Sequence, residues 1–304
     1  MVRGARPAAE VRIDVPLVRR LVAAQFPQWA SLAVEPVESA GWDNTIFRLG
    51  SDLAVRLPRR HVSAGHVREE HRWLPVLAPQ LPLPVPVPLG HGVPGEGYPW
   101  HWTVCRWQTG ELAALAPVAD MCQAAVSLAR FIAALQAIDP AGGAVHEFRG
   151  VSLAVHDRNT RAAAAVLQDS PDGGAVGAAL EVWKAALAAP APARAAEPVW
   201  MHGDLHPANL LVEDRQLSAV IDFGLLGVGD PACDLMVAWT YLSADPRHAF
   251  RRVLEPDDAT WTRGRGWALQ FGLRAAAYSA DNQVIGGIGR HTLAEALADF
   301  AQTR

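Results

Sequence analysis

His202-Gly203-Asp204-Leu205-His206-Pro207-Ala208-Asn209, with Asp222-Phe223-Gly224 beginning thirteen residues after Asn209, is the stretch on which the fold turns. Three short apolar runs surround it. Pro198 to Met201 precedes the loop, Leu210 to Val212 follows it, and Leu217 to Ile221 lies beyond the polar turn Glu213-Asp214-Arg215-Gln216. Runs this short, bounded by turn residues, read as strands, and the last two as a hairpin. In an antiparallel pair the start of one strand lies beside the end of its partner, so Asn209 and Asp222 come to the same end of the hairpin. An amide oxygen and a carboxylate brought together there form an oxygen-donor site of the kind Mg²⁺ prefers. His202 and His206 flank Asp204, but zinc would need further His or Cys partners in a recognisable arrangement. Both His residues are therefore expected to shape the loop and hydrogen-bond within it.

Phosphoryl transfer requires these parts: a group that orients and deprotonates the acceptor hydroxyl, and oxygen ligands for Mg²⁺ on the nucleotide phosphates. Asp204 is the candidate base, with Asn209 and Asp222 as metal ligands. The five-residue interval from Asp204 to Asn209 is that of the protein-kinase H-R-D-x-x-x-x-N loop, with Gly203 in the place of the Arg. A single Asp in such a loop is more often a turn or cap residue, but three elements in register are poorly explained that way. With I-D-F-G at 221–224 and G-D-P-A-C-D-L at 229–235, the segment Trp200 to Asp234 resembles the aminoglycoside phosphotransferase family. That family shares the protein-kinase-like fold with macrolide and choline kinases.

The resemblance implies a two-lobed α+β chain. Residues 1–107 would form a small antiparallel-sheet lobe that binds nucleotide, and residues 108–304 a larger, mainly helical lobe for catalysis and substrate. It implies ATP or GTP as donor, Mg²⁺ as cofactor, and a small hydroxylated acceptor, most of all a cationic antibiotic: an aminoglycoside, a macrolide or a basic peptide. Glu255, Asp257, Asp258, Asp281 and Asp299 could line a site for such a cation, although acidic residues of this kind are more often solvated surface charges. Asp234 would brace the catalytic loop by accepting backbone hydrogen bonds, and His206 would also approach substrate or phosphate. Two other readings stay open: a metabolite kinase for choline, homoserine or a sugar-like alcohol, and a nucleotide-binding regulatory module without turnover. The intact Asp204, Asn209 and Asp222 set weighs against the second.

In the N-terminal third, strands are expected at 32–39, 45–49 and 52–57, after a helix over 11–24 with Asp14 before Pro16 as its cap. By the kinase pattern the first turn, with Gly41, Asp43 and Asn44, covers the phosphates, and Arg56 on the third strand replaces the usual Lys. Arg59 and Arg60 are the nearest substitutes. A helix is expected over 63–74, stopped by Pro75, and the similarity of its R-E-E-H-R-W-L-P stretch to related phosphotransferases implies that Glu70 rather than Glu69 pairs with this cation, where both would otherwise be solvated helix-face charges. The alternating prolines of 81–88 fix an extended segment. A strand over 100–107 leads to the hinge, where backbone groups around Arg106 and Trp107 would meet the purine. Helices are expected over 118–138, 176–188 and from Asp230 to about Leu242.

Composition narrows the classes further. The 304 residues are half hydrophobic, enough for a sizeable core, and the formal charge of −4 without a basic run argues against nucleic acid as partner. No apolar run reaches the roughly eighteen residues of a membrane span. Cys105, Cys122 and Cys233 are scattered without a C-x-x-C, as expected in the reducing cytoplasm. The sequence leaves oligomeric state open.

Overall fold

A computed structural model describes residues 8–38, 42–171, 173–191 and 198–303. Helix α1 (Val15–Gln25) starts where Asp14 Oδ1 accepts the Leu17 N–H at 3.0 Å, with Pro16 in its first turn. Strands β1 (Val34–Val37), β2 (Asn44–Leu49) and β3 (Leu53–Pro58) form a meander. After the short α2 (His61–Ala64) and α3 (His66–Leu77), β4 (Pro88–Gly92) and β5 (Trp102–Arg106) complete an antiparallel sheet ordered β1-β2-β3-β5-β4. One face of the sheet packs on α1, with Val18, Leu21, Phe47, Val55, Leu57, Trp102 and Val104 in one cluster. Strand alternation sends Val55 and Leu57 into this core and Arg56 to the other face, beneath α3.

The rest of the chain is mainly helical. Strand β6 (Glu111–Leu112) leads to helices α4 (Met121–Gln136), α5 (Asp157–Leu167) and α6 (Val176–Ala188). Strand β7 (Val199–Met201), the hairpin β8 (Leu210–Glu213) and β9 (Gln216–Val220), and β10 (Gly227–Gly229) carry the signature loops. Helices α7 (Val237–Thr240), α8 (Ala244–Leu254), α9 (Asp258–Tyr278) and α10 (Gln283–Gln302) complete this part. Phe131, Trp183, Trp200, Trp239 and Trp267 belong to its large apolar core. Leu74 and Leu77 of α3 and Val85 of the proline-rich segment also join this second core, which fastens the sheet to the helical part. Among the described residues no helix is long and apolar enough to cross a membrane.

The β8–β9 hairpin turns at Asp214 and Arg215, with φ of 49° and 60°, the left-handed pair a two-residue type I′ turn needs. Its pairing runs from Glu213↔Gln216 to Leu210↔Val220, and the Ile221 N–H donates to the Asn209 carbonyl at 2.9 Å. Asn209 and Asp222 therefore share one end of the hairpin.

Two expected boundaries are corrected. Helix α3 runs through Pro75 to Leu77 instead of stopping at it. Proline removes a hydrogen bond to the carbonyl four residues back, here near the end of the helix, while Leu74 and Leu77, both fully buried, hold the last turn in the core. No helix spans Asp230 to Leu242: a single 3₁₀ turn (Asp234–Met236) precedes α7, which ends at Thr240. Asp230 instead accepts the Ala232 N–H at 3.0 Å and pairs with Arg263 at 2.7 Å.

Candidate active site

The catalytic loop leaves β7 through Gly203, whose φ of +83° is left-handed and where a Cβ would lie 2.4 Å from the Leu225 carbonyl oxygen. Glycine is required on both counts. Asp234, with 0% exposure, fastens the loop from below: its Oδ2 accepts the His202 N–H at 2.7 Å and its Oδ1 the Gly203 N–H at 2.8 Å. His202 Nδ1 accepts the Asp204 N–H at 3.2 Å while its Nε2 meets the Ile221 carbonyl at 3.0 Å. Those partners assign the neutral tautomer with the proton on Nε2. His202 thus ties the Asp204 loop to the residue before Asp222.

Asp204 projects from this loop with both oxygens engaged. Arg149 Nη2 donates to Oδ1 at 2.7 Å, and His206 Nε2 and Asn209 Nδ2 each lie 3.4 Å from Oδ2. The His206 ring also accepts the Ala208 N–H through Nδ1 and stacks on Phe271 of α9, ring centres 5.0 Å apart. Burial pushes the Asp204 carboxyl up, but His206 and Arg149 outweigh it and hold the group well below the usual carboxylate range. Asp204 is an ionised acceptor, competent to orient a hydroxyl and receive its proton.

Asn209 donates through Nδ2 to the Asp204 carbonyl at 2.9 Å, which leaves its amide oxygen without a donor among the described residues. Asp222 sits in the left-handed region at φ 63° and offers Oδ1 to Arg56 Nη2 at 3.2 Å, with Oδ2 unpartnered among the described residues. A free amide oxygen and a free carboxylate oxygen at one hairpin end fit Mg²⁺, which takes few protein ligands and completes its shell with water and phosphate oxygens. No cluster of three or more His, Cys, Asp or Glu suited to a metal occurs among the described residues.

Arg56 comes to the same place from the sheet. It is 8% exposed, so it does not face solvent, and it donates to Glu70 through Nη1 at 2.8 Å and Nη2 at 3.4 Å. Burial would lower its pKa, but Glu70 and Asp222 raise it above the ordinary value, and the charge is permanent. Glu69 bonds the Trp73 indole instead. Arg59 reaches the Trp42 carbonyl, and Arg60 reaches Asp43 at 3.2 Å.

A cleft joins the two parts, lined by Asp43, Asn44, Ser63, Glu70, Asp204 and Asp222. Asp43 there accepts the Ser63 hydroxyl at 2.6 Å, which ties the turn to α2. Gly41 lies outside the described residues. Arg106 ends β5, exposed and paired with Leu53. The Trp107 N–H donates to the Asp52 carbonyl at 2.8 Å and its ring carries the Arg48 guanidinium at 4.4 Å, so that N–H is not available to a purine.

Two further points depart from expectation. Arg149, absent from the motif reading, makes the shortest contact to Asp204; the two are 55 residues apart and no local spacing announces it. The proposed acidic lining has other uses: Asp257 caps α9, Asp258 pairs with Arg251, and Asp299 is buried between Arg247 and Arg265.

The model of the phosphotransferase enzyme family, APH, matches residues 34–267. The solved GDP and kanamycin complex of APH(2")-IIia superposes with a TM-score of 0.68 at 20% identity, covering 93% of this chain and 98% of that one. The apoenzyme of macrolide 2'-phosphotransferase MphH from Brachybacterium faecium gives 0.59 at 25% identity over 93% and 97%. No curated protein sequence matches the chain.

Proposed function

The chain belongs to the phosphotransferase enzyme family, and from that premise we propose that it moves the γ-phosphoryl group of ATP or GTP to a hydroxyl of a small molecule in the cytoplasm. The observation that carries this reading is convergence: Asp204, Asp222 and Glu70 line one cleft, with Arg56 bridging the last two. Asp204 orients the acceptor hydroxyl and takes its proton. Asn209 and Asp222 hold Mg²⁺, which supplies charge neutralisation on the phosphates when bound. Arg56, fixed in a fork by Glu70, grips phosphate oxygens. Asp234 keeps the Asp204 loop in place.

Neighbours solved with kanamycin, gentamicin and streptomycin make an aminoglycoside-type antibiotic the first acceptor to try. A metabolite kinase is the second reading, favoured by the guanidinium that stands against Asp204. The test is acceptor-dependent ADP and GDP release across antibiotics and metabolic alcohols. Asp204→Asn should keep nucleotide affinity and lower turnover roughly 10²- to 10⁴-fold, the usual worth of acid-base help. Near-normal turnover in that variant, or no acceptor-dependent release at all, would overturn the reading.

A further inference from the structure

We propose that the acceptor carries an anionic group, a carboxylate or a phosphate, beside the hydroxyl that is phosphorylated, and that Arg149 and Arg274 recognise it. This rests on the phosphoryl-transfer reading above and favours an anionic metabolite over the aminoglycoside-type acceptor named first there.

Asp204 presents two different sides. Its Oδ2 faces His206 and Asn209, the side of the proposed metal ligands; its Oδ1 faces Arg149. Arg149 is held for that contact by its own segment. Its backbone N–H and that of Phe148 both donate to His146 Nδ1, at 3.2 and 3.1 Å, and the Phe148 carbonyl meets His156 Nε2 at 2.9 Å. Gly150, at φ 62°, passes so close to Met201 that a Cβ would lie 2.5 Å from its sulfur. The Arg149 guanidinium lies 5.8 Å from the Trp267 ring centre.

Trp267 opens the helical face that supplies the second cation. Positions 267, 271 and 274 of α9 follow one another at i, i+4 and i+7 and so share a side of the helix. Trp267 packs edge-on to His156, Phe271 stacks on His206, and Arg274 is one turn further along. Arg274 is exposed and makes no hydrogen bond or ion pair with a described residue, yet it lies within electrostatic reach of both Arg149 and Asp204. A second guanidinium, without a hydrogen-bond or ion-pair partner among the described residues, therefore stands within electrostatic reach of the Arg149–Asp204 pair.

That balance suits an oxyanion and opposes a polycation. An ammonium-rich acceptor would bring like charges against Arg149 and Arg274, whereas a carboxylate or phosphate would receive two charge-assisted hydrogen-bond donors. The anion also gives Arg149 an alternative partner. Once Arg149 exchanges Asp204 Oδ1 for the acceptor's anion, that oxygen is open to the hydroxyl: the hydroxyl oxygen bonds to the γ-phosphorus as the bond to the β,γ-bridging oxygen breaks, the hydroxyl proton passes to Asp204, and the nucleoside diphosphate leaves.

The experiment compares gluconate, glucose 6-phosphate, glucose, glucosamine and kanamycin, both for nucleotide consumption and for calorimetric binding to the full chain with Mg²⁺ and a non-hydrolysable nucleotide. The two anions should bind in preference to the others, and their relative strengths distinguish carboxylate from phosphate. Arg274→Ala should raise the Kd or KM for them about 10- to 100-fold, the size of one hydrogen bond to a charged group, with kcat and nucleotide affinity retained. Arg274→Glu should abolish anion preference, and Arg149→Lys should retain part of it. Failure of both anions to bind the wild type overturns the proposal, as does anion binding indifferent to Arg274→Glu. Kanamycin turnover undisturbed by Arg274→Glu refutes the anionic acceptor while upholding phosphoryl transfer. Anion binding without nucleotide consumption by any acceptor does the reverse.

Discussion

Replacing Asp234 with Ala removes one carboxylate and strands two backbone donors. The His202 and Gly203 N–H groups, now bonded at 2.7 and 2.8 Å to a side chain of 0% exposure, have no route to solvent. A buried donor left unsatisfied costs about 1–3 kcal/mol, so the pair predicts a loss of roughly 2–6 kcal/mol, a large share of the about 5–15 kcal/mol that keeps a domain folded. Asp234→Asn should lose about half as much, since its amide oxygen still serves one donor while its NH₂ confronts the other. Urea denaturation with an unchanged m-value measures both variants. Because Asp204 follows Gly203 directly, kcat should fall in the folded fraction of either variant, with nucleotide affinity less affected. A loss under about 1 kcal/mol in Asp234→Ala, together with wild-type kcat, would show that the loop holds its shape without this carboxylate and refute the reasoning.

Four other outcomes follow from the geometry. Gly203→Ala should cost about 1–3 kcal/mol in chemical denaturation and lower kcat, because Ala must adopt φ +83° against the Leu225 carbonyl; normal values for both would remove the claim that this turn needs glycine. Asp222→Ala should raise the Mg²⁺ concentration for half-maximal rate more than Asn209→Ala, since it deletes a formal charge as well as an oxygen; equal Mg²⁺ curves would contradict the assignment. Glu70→Ala should also raise the Mg²⁺ requirement, because Arg56 is then left with Asp222 alone, and a Mg²⁺ curve identical to wild type would separate the two contacts. Burial, then His91, His101 and Arg56, pushes the His71 pKa down from 6.5 to about 4. Folding therefore favours neutral His71, and the stability this carries is complete above pH 6.5 and is lost as pH falls toward 4. His71→Gln should flatten the decline of Tm across that window, and an undiminished slope would count against His71 as its source.

The parts of the site legible in the sequence are those whose geometry is local. Asn209 and Asp222 meet because a two-residue turn at Asp214 and Arg215 sets the register of one hairpin, and turn chemistry with short apolar runs is written in consecutive residues. Alternation of β3 puts Arg56 opposite Val55 and Leu57, but it does not say whether that face is solvent or cleft, which α3 and Glu70 decide. The stop at Pro75 was misleading because burial of Leu74 and Leu77 overrides a local breaker, a tertiary effect with no local mark. The helix expected from Asp230 fails because Asp230 serves Arg263 on α9. Arg149 and Arg274 could not be found by spacing, since Arg149 meets Asp204 from a segment 55 residues away and Arg274 stands on α9, within electrostatic reach of both. The acidic residues near the C-terminus mislead for the converse reason: charge is visible in sequence, but its partner is not, and Asp299 is consumed by a buried pair of arginines.

The contact between Arg56 and Asp222 joins groups 166 residues apart and makes the phosphate gripping proposed for one and the metal holding proposed for the other a single problem. Glu70 draws Arg56 by two hydrogen bonds, the nearer at 2.8 Å, against one longer bond at 3.2 Å to Asp222. The unequal pull leaves Asp222 Oδ2 free while keeping a cation close enough to temper the carboxylate's charge. A Lys at position 56 would carry the same charge from a single nitrogen and could not divide a planar fork between two carboxylates in this way. The departure from the kinase Lys is thus matched by the geometry around it. Glu70 lies on a helix that Leu74 and Leu77 anchor in the large core, so the cation's position is set from the helical part as much as from its own sheet. Relative movement of the two parts would disturb the Arg56–Asp222 contact, so the proposed phosphate site depends on how the sheet sits against the helical part.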